Sequence, residues 1–339
     1  MGVDISALVK GRPLDLEDLT GKSIAIDAFN TLYQFLSNIR QPDGTPLKDR
    51  DGRVTSHLAG LFQRTSSLME MGIRPVYVFD GEPPELKRKT LDERRAVREK
   101  AHDEWKKALA EGDLKKALSM ASRSSRLDEQ MLSEARALLD ALGVPWLVAP
   151  AEGEAQMAHM ARKGDVWAGA SQDFDAVLFG TPNLVRNLTL AGRRRLPSGK
   201  SVEVVPELVV LEDVLTELGI SREQLVDMSI LVGTDFNEGV RGIGPKKGLK
   251  LIREFGSLER VAEGGSVRVP EEFEQVREIF LEPQISSDYS LRWRPADAEQ
   301  VRRMLCDRHS FSVDRVDSTL AKLVSKQGER AQSSLDSWS

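Results

Sequence analysis

One cysteine, Cys306, and four histidines in 339 residues leave no thiol pair for a disulfide frame and no His/Cys cluster with zinc spacing. The expected compartment is therefore reducing. No run of about 18 apolar residues occurs, which excludes an apparent membrane span. The opening stretch MGVDISALVKG lacks the basic start and apolar core of a secretory leader. Met1-Gly2 with Ser6 matches a myristoylation pattern too short to carry weight. Expected locations are the cytoplasm in a prokaryote or the nucleus in a eukaryote. An overall excess of positive charge is also missing, because the formal net charge is -5.

The charge that is present is unevenly placed. Between Lys87 and Lys100 stand seven basic residues against three acidic ones. GRRRLPSGK carries four basic residues and no acid, and GVRGIGPKKGLKLIR carries five and no acid. Such local patches, rather than the net charge, are the signal relevant to a polyanionic partner.

Acidic residues concentrate where apolar runs end. GKSIAIDAFNTLYQFL reads as a buried strand, Ser23 to Ile26, that meets Asp27 and turns into a helix. In GIRPVYVFDGEPP a strand from Val76 to Phe79 meets Asp80-Gly81. LGVPWLVAPAEGEAQMAHMARKG gives a third strand leading to Glu152 and Glu154, and DVWAGASQDFDAVLFG a fourth leading to Asp173 and Asp175. LVDMSILVGTDF ends at Asp235 but has helical length, with Ser221 and Gln224 in capping-box spacing at its start. Strands alternating with helical stretches predict an α/β fold with a mainly parallel central sheet flanked by helices, whose ligand crevice lies at the carboxyl ends of the strands. RNLTLAGRRRLPSGKSVEVVP reads as a hairpin at the edge of that sheet. Residues 84–140 are too long for a simple crossover and predict helices projecting from the core. Residues 266–325 read as a smaller helical region, and 326–339 as a flexible polar tail.

Each acid alone has an ordinary explanation. Asp27 could cap a helix, Asp80 could start a turn, and Glu152, Glu154, Asp173 and Asp175 could serve helix ends or loops. Glu152 and Glu154 nevertheless sit two apart with no Lys or Arg among them. Two charges at roughly 5 Å and an effective dielectric of about 20 repel by about 3 kcal/mol. Seven acids at one sheet edge predict a cation site. Carboxylates without His or Cys suit Mg²⁺ or Mn²⁺, and seven are more than one Mg²⁺ uses, so two ions are expected.

AIDAFNTLYQFL, PVYVFDGEPPELK, APAEGEAQMA, SQDFDAVLFG, ILVGTDFNEGVRGIGPKKGLKLI and QSSLDSWS, in that order, resemble the archaeal-type flap endonucleases of the structure-specific 5′ nuclease superfamily. The resemblance spans nearly the whole chain and implies a PIN-like 5′ nuclease architecture. On that reading residues 1–265 form the nuclease core, with a helical arch inserted at 81–130 and a helix-hairpin-helix region at 221–256. Residues 266–325 would pack on the core, and 326–339 would carry a clamp-binding box.

The function implied is Mg²⁺-dependent hydrolysis of a DNA phosphodiester near a single-strand/duplex junction by two-metal-ion catalysis, in Okazaki-fragment maturation and base excision repair. Asp27, Asp80, Glu152, Glu154, Asp173, Asp175 and Asp235 would be the metal-site acids. Asp27, Asp80, Glu152 and Asp173 would join Lys87 and Arg94, the basic pair directed at the scissile phosphate, as catalytic residues. DNA contacts are implied for Gly2, for Tyr33 by base stacking, and for Gly242, Gly244, Lys246 and Lys247. Gly248 is expected to ease the same backbone approach. The helix-hairpin-helix element is also expected to take K⁺. Gln332, Leu335 and Trp338 have the spacing of a box for a PCNA-type sliding clamp, with Ser339 where a second aromatic is expected. Expected partners are thus branched DNA with a 5′ flap and the clamp, for a monomer without membrane association, nucleoid-associated in a prokaryote. Competing readings are a 5′-3′ exonuclease, a bubble-cutting repair nuclease and an inactive DNA-binding clamp scaffold.

Overall fold

Short apolar segments supply the strands β1 (Arg12–Pro13), β2 (Ser23–Asp27), β3 (Arg74–Phe79), β4 (Trp146–Val148), β5 (Ala168–Ala170), β6 (Asn183–Arg186), β7 (Gly192–Arg195), β8 (Ser201–Val204) and β9 (Glu207–Val210). The structure is a computed structural model that describes residues 2–41, 43–190, 192–195, 201–265 and 267–336, with backbone only at 114, 115, 193–195, 201, 202 and 326–336. Ile24 to Ile26 and Val76 to Phe79 are fully buried, as central parallel strands covered on both faces must be. The sheet order is β1-β9-β6-β5-β2-β3-β4, parallel from β6 to β4 and antiparallel where β9 joins. The mainly parallel sheet expected from the alternation of strands and helices is present.

Helices α1 (Ala28–Asn38), α2 (Ser56–Glu70), α3 (Arg88–Ala110), α4 (Leu114–Arg123), α5 (Glu129–Ala141), α6 (Gly153–Lys163), α7 (Asp175–Leu178), α8 (Leu211–Leu218), α9 (Arg222–Val232), α10 (Pro245–Phe255), α11 (Leu258–Glu263), α12 (Phe273–Leu281), α13 (Ala298–Arg302) and α14 (Val313–Asp336) complete the chain. Three apolar clusters form among the described residues: one gathers Leu32, Leu58, Leu138 and Leu320, a second Phe174, Leu225, Ile252 and Phe280, and a third Val76, Val78, Met157 and Met160 between the sheet and α6. The capping box at Ser221 forms as the spacing predicts, Ser221 Oγ accepting from Gln224 N at 3.2 Å and Gln224 Oε1 from Ser221 N at 2.9 Å. Among the described residues no helix is long and apolar enough to cross a membrane.

Four expectations need correction. The β7/β8 ribbon forms a separate two-stranded sheet and does not extend the main sheet as an edge hairpin. Not all of the helices at 84–140 project: α3 buries just Ala101 and Ala108, whereas α5 carries Leu132, Leu138 and Leu139 into the core. Residues 283–297 have no helix and instead form an extended strap. Trp293 Nε1 of that strap donates to Pro75 O at 2.8 Å, and Gln156 of α6 exchanges hydrogen bonds with the Ser286 backbone at 2.8 Å. Finally, α14 continues as helix from its buried Val316, Leu320 and Leu323 to Asp336, through residues read as a flexible tail. Polar helix formers propagate a helix once tertiary packing has nucleated it.

Candidate active site

The carboxyl ends of four parallel strands bring six of the acids, and the end of α9 the seventh, within electrostatic reach of one another. Asp27 is the last residue of β2, and its Oδ1 accepts from Asn30 N at 2.9 Å. The helix-cap role and the site role are thus held by the same side chain. Asp80 follows β3 and accepts from Gly153 N at 2.8 Å. This contact explains the glycine between the two glutamates, because a Cβ there would stand 2.7 Å from Asp80 Oδ1. Beside it, a Cβ on Gly81 would lie 2.0 Å from Ala149 O, so the loops after β3 and β4 cross with no room for a side chain.

Glu152 and Glu154 flank the first residue of α6. Glu154 Oε1 accepts from Ser171 Oγ at 2.7 Å, and Ser171 Oγ in turn accepts from Asp173 N at 3.2 Å. Asp173 Oδ2 accepts from Asn30 Nδ2 at 3.3 Å. Asp175 opens α7 and accepts from Val3 N at 2.7 Å; a Cβ on Gly2 would approach its carboxylate to 2.6 Å. The N-terminal segment is therefore packed against the site, where Gly2 was expected. Asp235, after α9, accepts from Arg94 Nη2 at 2.5 Å, and Lys87 is paired with Glu152.

The electrostatics are those of crowded, desolvated carboxylates. Burial, then Asp80, holds the Asp27 pKa well above its ordinary value. Burial, then Asp175, Asp173 and Asp27, does the same for Glu154. Burial and Asp235 push Asp175 up to about 7. Asp80 and Glu152 are also raised by burial, with Lys87 opposing the shift in both. Against the burial that disfavours its charge, the Lys87 ammonium is kept above its ordinary value by Glu152 and Asp80.

The donor set fits hard divalent cations: it is all carboxylate, largely buried, and short of positive charge. Lys87 and Arg94 supply two formal charges against seven. The carboxylates are not closed into a finished cage, since among the described residues no three His, Cys, Asp or Glu side chains already converge closely enough to hold an ion. The hydrogen bonds from Asn30, Gly153, Ser171 and Val3 hold them at the pocket wall instead.

The raised carboxylates make the stability of the metal-free protein depend on pH. Their folded-state pKa values exceed the unfolded ones, so the folded protein binds protons more tightly, and their stabilisation is lost as pH rises through the folded values. His102 and His159, lowered by burial, act in the opposite sense. The melting temperature of the metal-free protein should fall from about pH 4.5 to about pH 8, and the increment produced by added Mg²⁺ should grow over the same interval. A Mg²⁺ increment independent of pH would contradict it.

The other expected contact residues lie on separate elements, Tyr33 on α1 and the rest at the α9–α10 turn. Tyr33 is half-buried, with the Arg98 guanidinium 4.5 Å above its ring. It lines a cavity of about 400 Å³ with Leu91, Arg95, Arg98 and Arg126 at the base of α3. The α9–α10 turn presents Gly242 and Gly244 to open space, Gly242 at φ +83, with Lys246 and Lys247 exposed at the start of α10. Gly248 is not part of this surface: it is buried, and a Cβ there would press on Met228 Cγ at 3.2 Å, so it serves α9–α10 packing. The side chains of Gln332 and Leu335, and Trp338 altogether, lie outside the described residues. Sequence reasoning missed Asn30, Gly153 and Ser171. Of these only Gly153 carried a signal, as a helix-starting glycine held between two acids.

Residues 4–101 match the XPG N-terminal domain and residues 143–235 the XPG I-region. The chain is 51% identical over 342 residues to the flap endonuclease 1 of Pyrococcus abyssi, covering 100% of this chain and 98% of that protein. It is 50% identical to that of Methanothermobacter thermautotrophicus, covering all of both. The flap endonuclease-1 from Methanococcus jannaschii has a similar structure, with TM-score 0.77 and 41% identity over 97% of this chain and 100% of that one.

Proposed function

The chain belongs to the flap endonuclease family and is a structure-specific 5′ flap endonuclease, a DNA hydrolase, from which we propose how its own residues cut. Asp27, Asp80, Glu152, Glu154, Asp173, Asp175 and Asp235 would hold two Mg²⁺, or Mn²⁺ in their place. The observation that carries this reading is the mutual repulsion of seven neighbouring carboxylates, which with burial raises the proton affinity of Asp27, Asp80, Glu152, Glu154 and Asp175, while among the described residues Lys87 and Arg94 pair with Glu152 and Asp235. When bound, such ions activate water and stabilise the leaving oxygen of a phosphodiester, giving a 5′-phosphate and a 3′-hydroxyl.

The protein's share is placement and charge. Lys87 and Arg94 reach the acid pocket from the base of α3, where they can orient the scissile phosphate and offset its developing charge. Tyr33 offers a ring face for the base beside the cut. Gly242, Gly244, Lys246 and Lys247 bring backbone N–H groups, positive charge and the N-terminus of α10 to a duplex phosphate. Gly2 lies beside Asp175, where the substrate junction would pass. Potassium at this turn, clamp binding through Gln332, Leu335 and Trp338, a monomeric state, and service in Okazaki-fragment maturation and base excision repair are further parts of the proposal. They rest on the resemblance of the motifs.

Labelled double-flap, gapped and bubble DNA substrates test the assignment. The double flap should be cut fastest, only with Mg²⁺ or Mn²⁺, and with a rate that falls as salt rises. Faster cutting of gapped or bubble DNA would support the exonuclease or bubble-nuclease reading instead.

A further inference from the structure

Asn30 touches two of the seven carboxylates. Its backbone N–H donates to Asp27 Oδ1 at 2.9 Å, and its side-chain Nδ2 donates to Asp173 Oδ2 at 3.3 Å. A carboxylate only accepts, so the Asn30 amide must turn its nitrogen to Asp173 and its oxygen away. That oxygen meets Gln34 one helical turn further along α1, where Gln34 Nε2 donates to it. Gln34 thereby turns Oε1 outward, and Thr189 Oγ1 stands 3.0 Å from it. Since Oε1 can only accept, the Thr189 hydroxyl must donate.

The series Thr189–Gln34–Asn30–Asp173 therefore has one allowed polarity at every link. It begins at the buried Thr189 in the short turn after β6 and ends on an acid after β5. Asn30 and Gln34 share a helix face at i, i+4 spacing. Each amide could otherwise rotate by half a turn and present the wrong atom to its neighbour. A side chain that only filled space would not need matched donors and acceptors over three links.

We propose that Asn30, Gln34 and Thr189 are positioning residues that together aim the Asp173 carboxylate for divalent-cation binding. The inference rests on the reading that Asp173 is one of the metal-site acids. Partners that orient a ligating group typically change metal affinity by about 10–100-fold when lost. The relay also ties Asp173 to the turn that leads into the β7/β8 ribbon, so its aim depends on how residues 188–190 pack.

The test titrates Mn²⁺ alone, without DNA, into the full-length protein by calorimetry. Asn30→Ala keeps the backbone cap on Asp27 and removes only the amide; it should weaken Mn²⁺ binding about tenfold or more. Thr189→Val, of the same shape but without the donor, should weaken it in the same direction by less, and Thr189→Ser should restore it. Because Thr189 acts through Asn30, adding Thr189→Val to Asn30→Ala should change nothing further. Cleavage under single turnover should slow in step, with flap affinity unchanged. Wild-type Mn²⁺ affinity in Asn30→Ala and Thr189→Val, beside a loss in Asp173→Ala, would overturn the relay and leave the site intact. Additive effects in the double variant would also overturn it. If Asp173→Ala itself bound Mn²⁺ like the wild type, the assignment of Asp173 would fall, and the relay with it.

Discussion

Asp173→Ala should abolish Mg²⁺-dependent flap cleavage while leaving DNA binding largely intact. Groups that merely orient a metal ligand are worth about 10–100-fold, so removal of a ligand itself should exceed about a hundredfold. Asp173 raises the proton affinity of both Asp27 and Glu154, which places its charge among theirs and not on an outer surface. The expected duplex-binding groups, Gly242, Gly244, Lys246 and Lys247, sit on a different element and keep their exposure. Binding measured in Ca²⁺ should thus change little. A second consequence separates this site from an ordinary polar cluster. Removing one of several repelling carboxylates should raise the melting temperature of the metal-free protein near neutral pH and shrink the gain that Mg²⁺ gives. Retained cutting, or a metal-free variant less stable than the wild type with an undiminished Mg²⁺ gain, would refute the assignment.

The acids were legible because of a rule of parallel sheets. A buried strand reads as a short apolar run, and its carboxyl end opens on the ligand crevice, so the residue after the run is marked by position. Asp27, Asp80 and the pairs at Glu152/Glu154 and Asp173/Asp175 were all found in this way, and Asp235 by the apolar run of a helix. The groups that hold those acids were not legible. Asn30 is one polar residue in the first turn of a helix, Ser171 one serine after a strand, and Thr189 lies in a turn 155 positions from Gln34. Their role exists only in three-dimensional donor geometry, which leaves no period and no spacing. The misplaced β7/β8 hairpin and the strap at 283–297 failed for a related reason. Alternation and helix propensity describe local preference; they do not say which sheet a strand joins, and the strap's extended path over α6 is held by the tertiary partners Gln156 and Pro75. The rank of Gly248 among DNA-contacting glycines failed because its neighbour across the helix pair, Met228, is remote in sequence.

Lys87→Ala should produce the opposite pattern from Asp173→Ala in the metal-free protein while also crippling cleavage. The Lys87 side chain is 12% exposed and that of Glu152 9%, so the pair is nearly dry. Loss of one member of a buried pair leaves the other charged and unpaired, at a typical cost of about 3–5 kcal/mol. Here the penalty is smaller at acidic pH, because burial and Asp80 already favour protonation of Glu152, and neutralisation removes the unpaired charge. The metal-free variant should accordingly melt lower than the wild type near neutral pH, recover part of the difference on acidification, and recover more with Mg²⁺. Cleavage should not recover with it. A preorganised donor aimed at developing oxyanion charge is worth about 10²–10³ in rate, so the single-turnover rate should fall by that order with DNA affinity in Ca²⁺ preserved. Arg94→Ala should follow the same course through Asp235, with a smaller loss of stability because the Arg94 side chain is more open, at 28% exposure. Lys87→Arg retains the charge on a planar, longer head group, and should rescue metal-free stability better than it rescues rate. If Lys87→Ala cut flaps at the wild-type rate once Mg²⁺ was saturating, Lys87 would be only a counter-ion for Glu152 and Asp80, and the phosphate would have to be oriented by other groups.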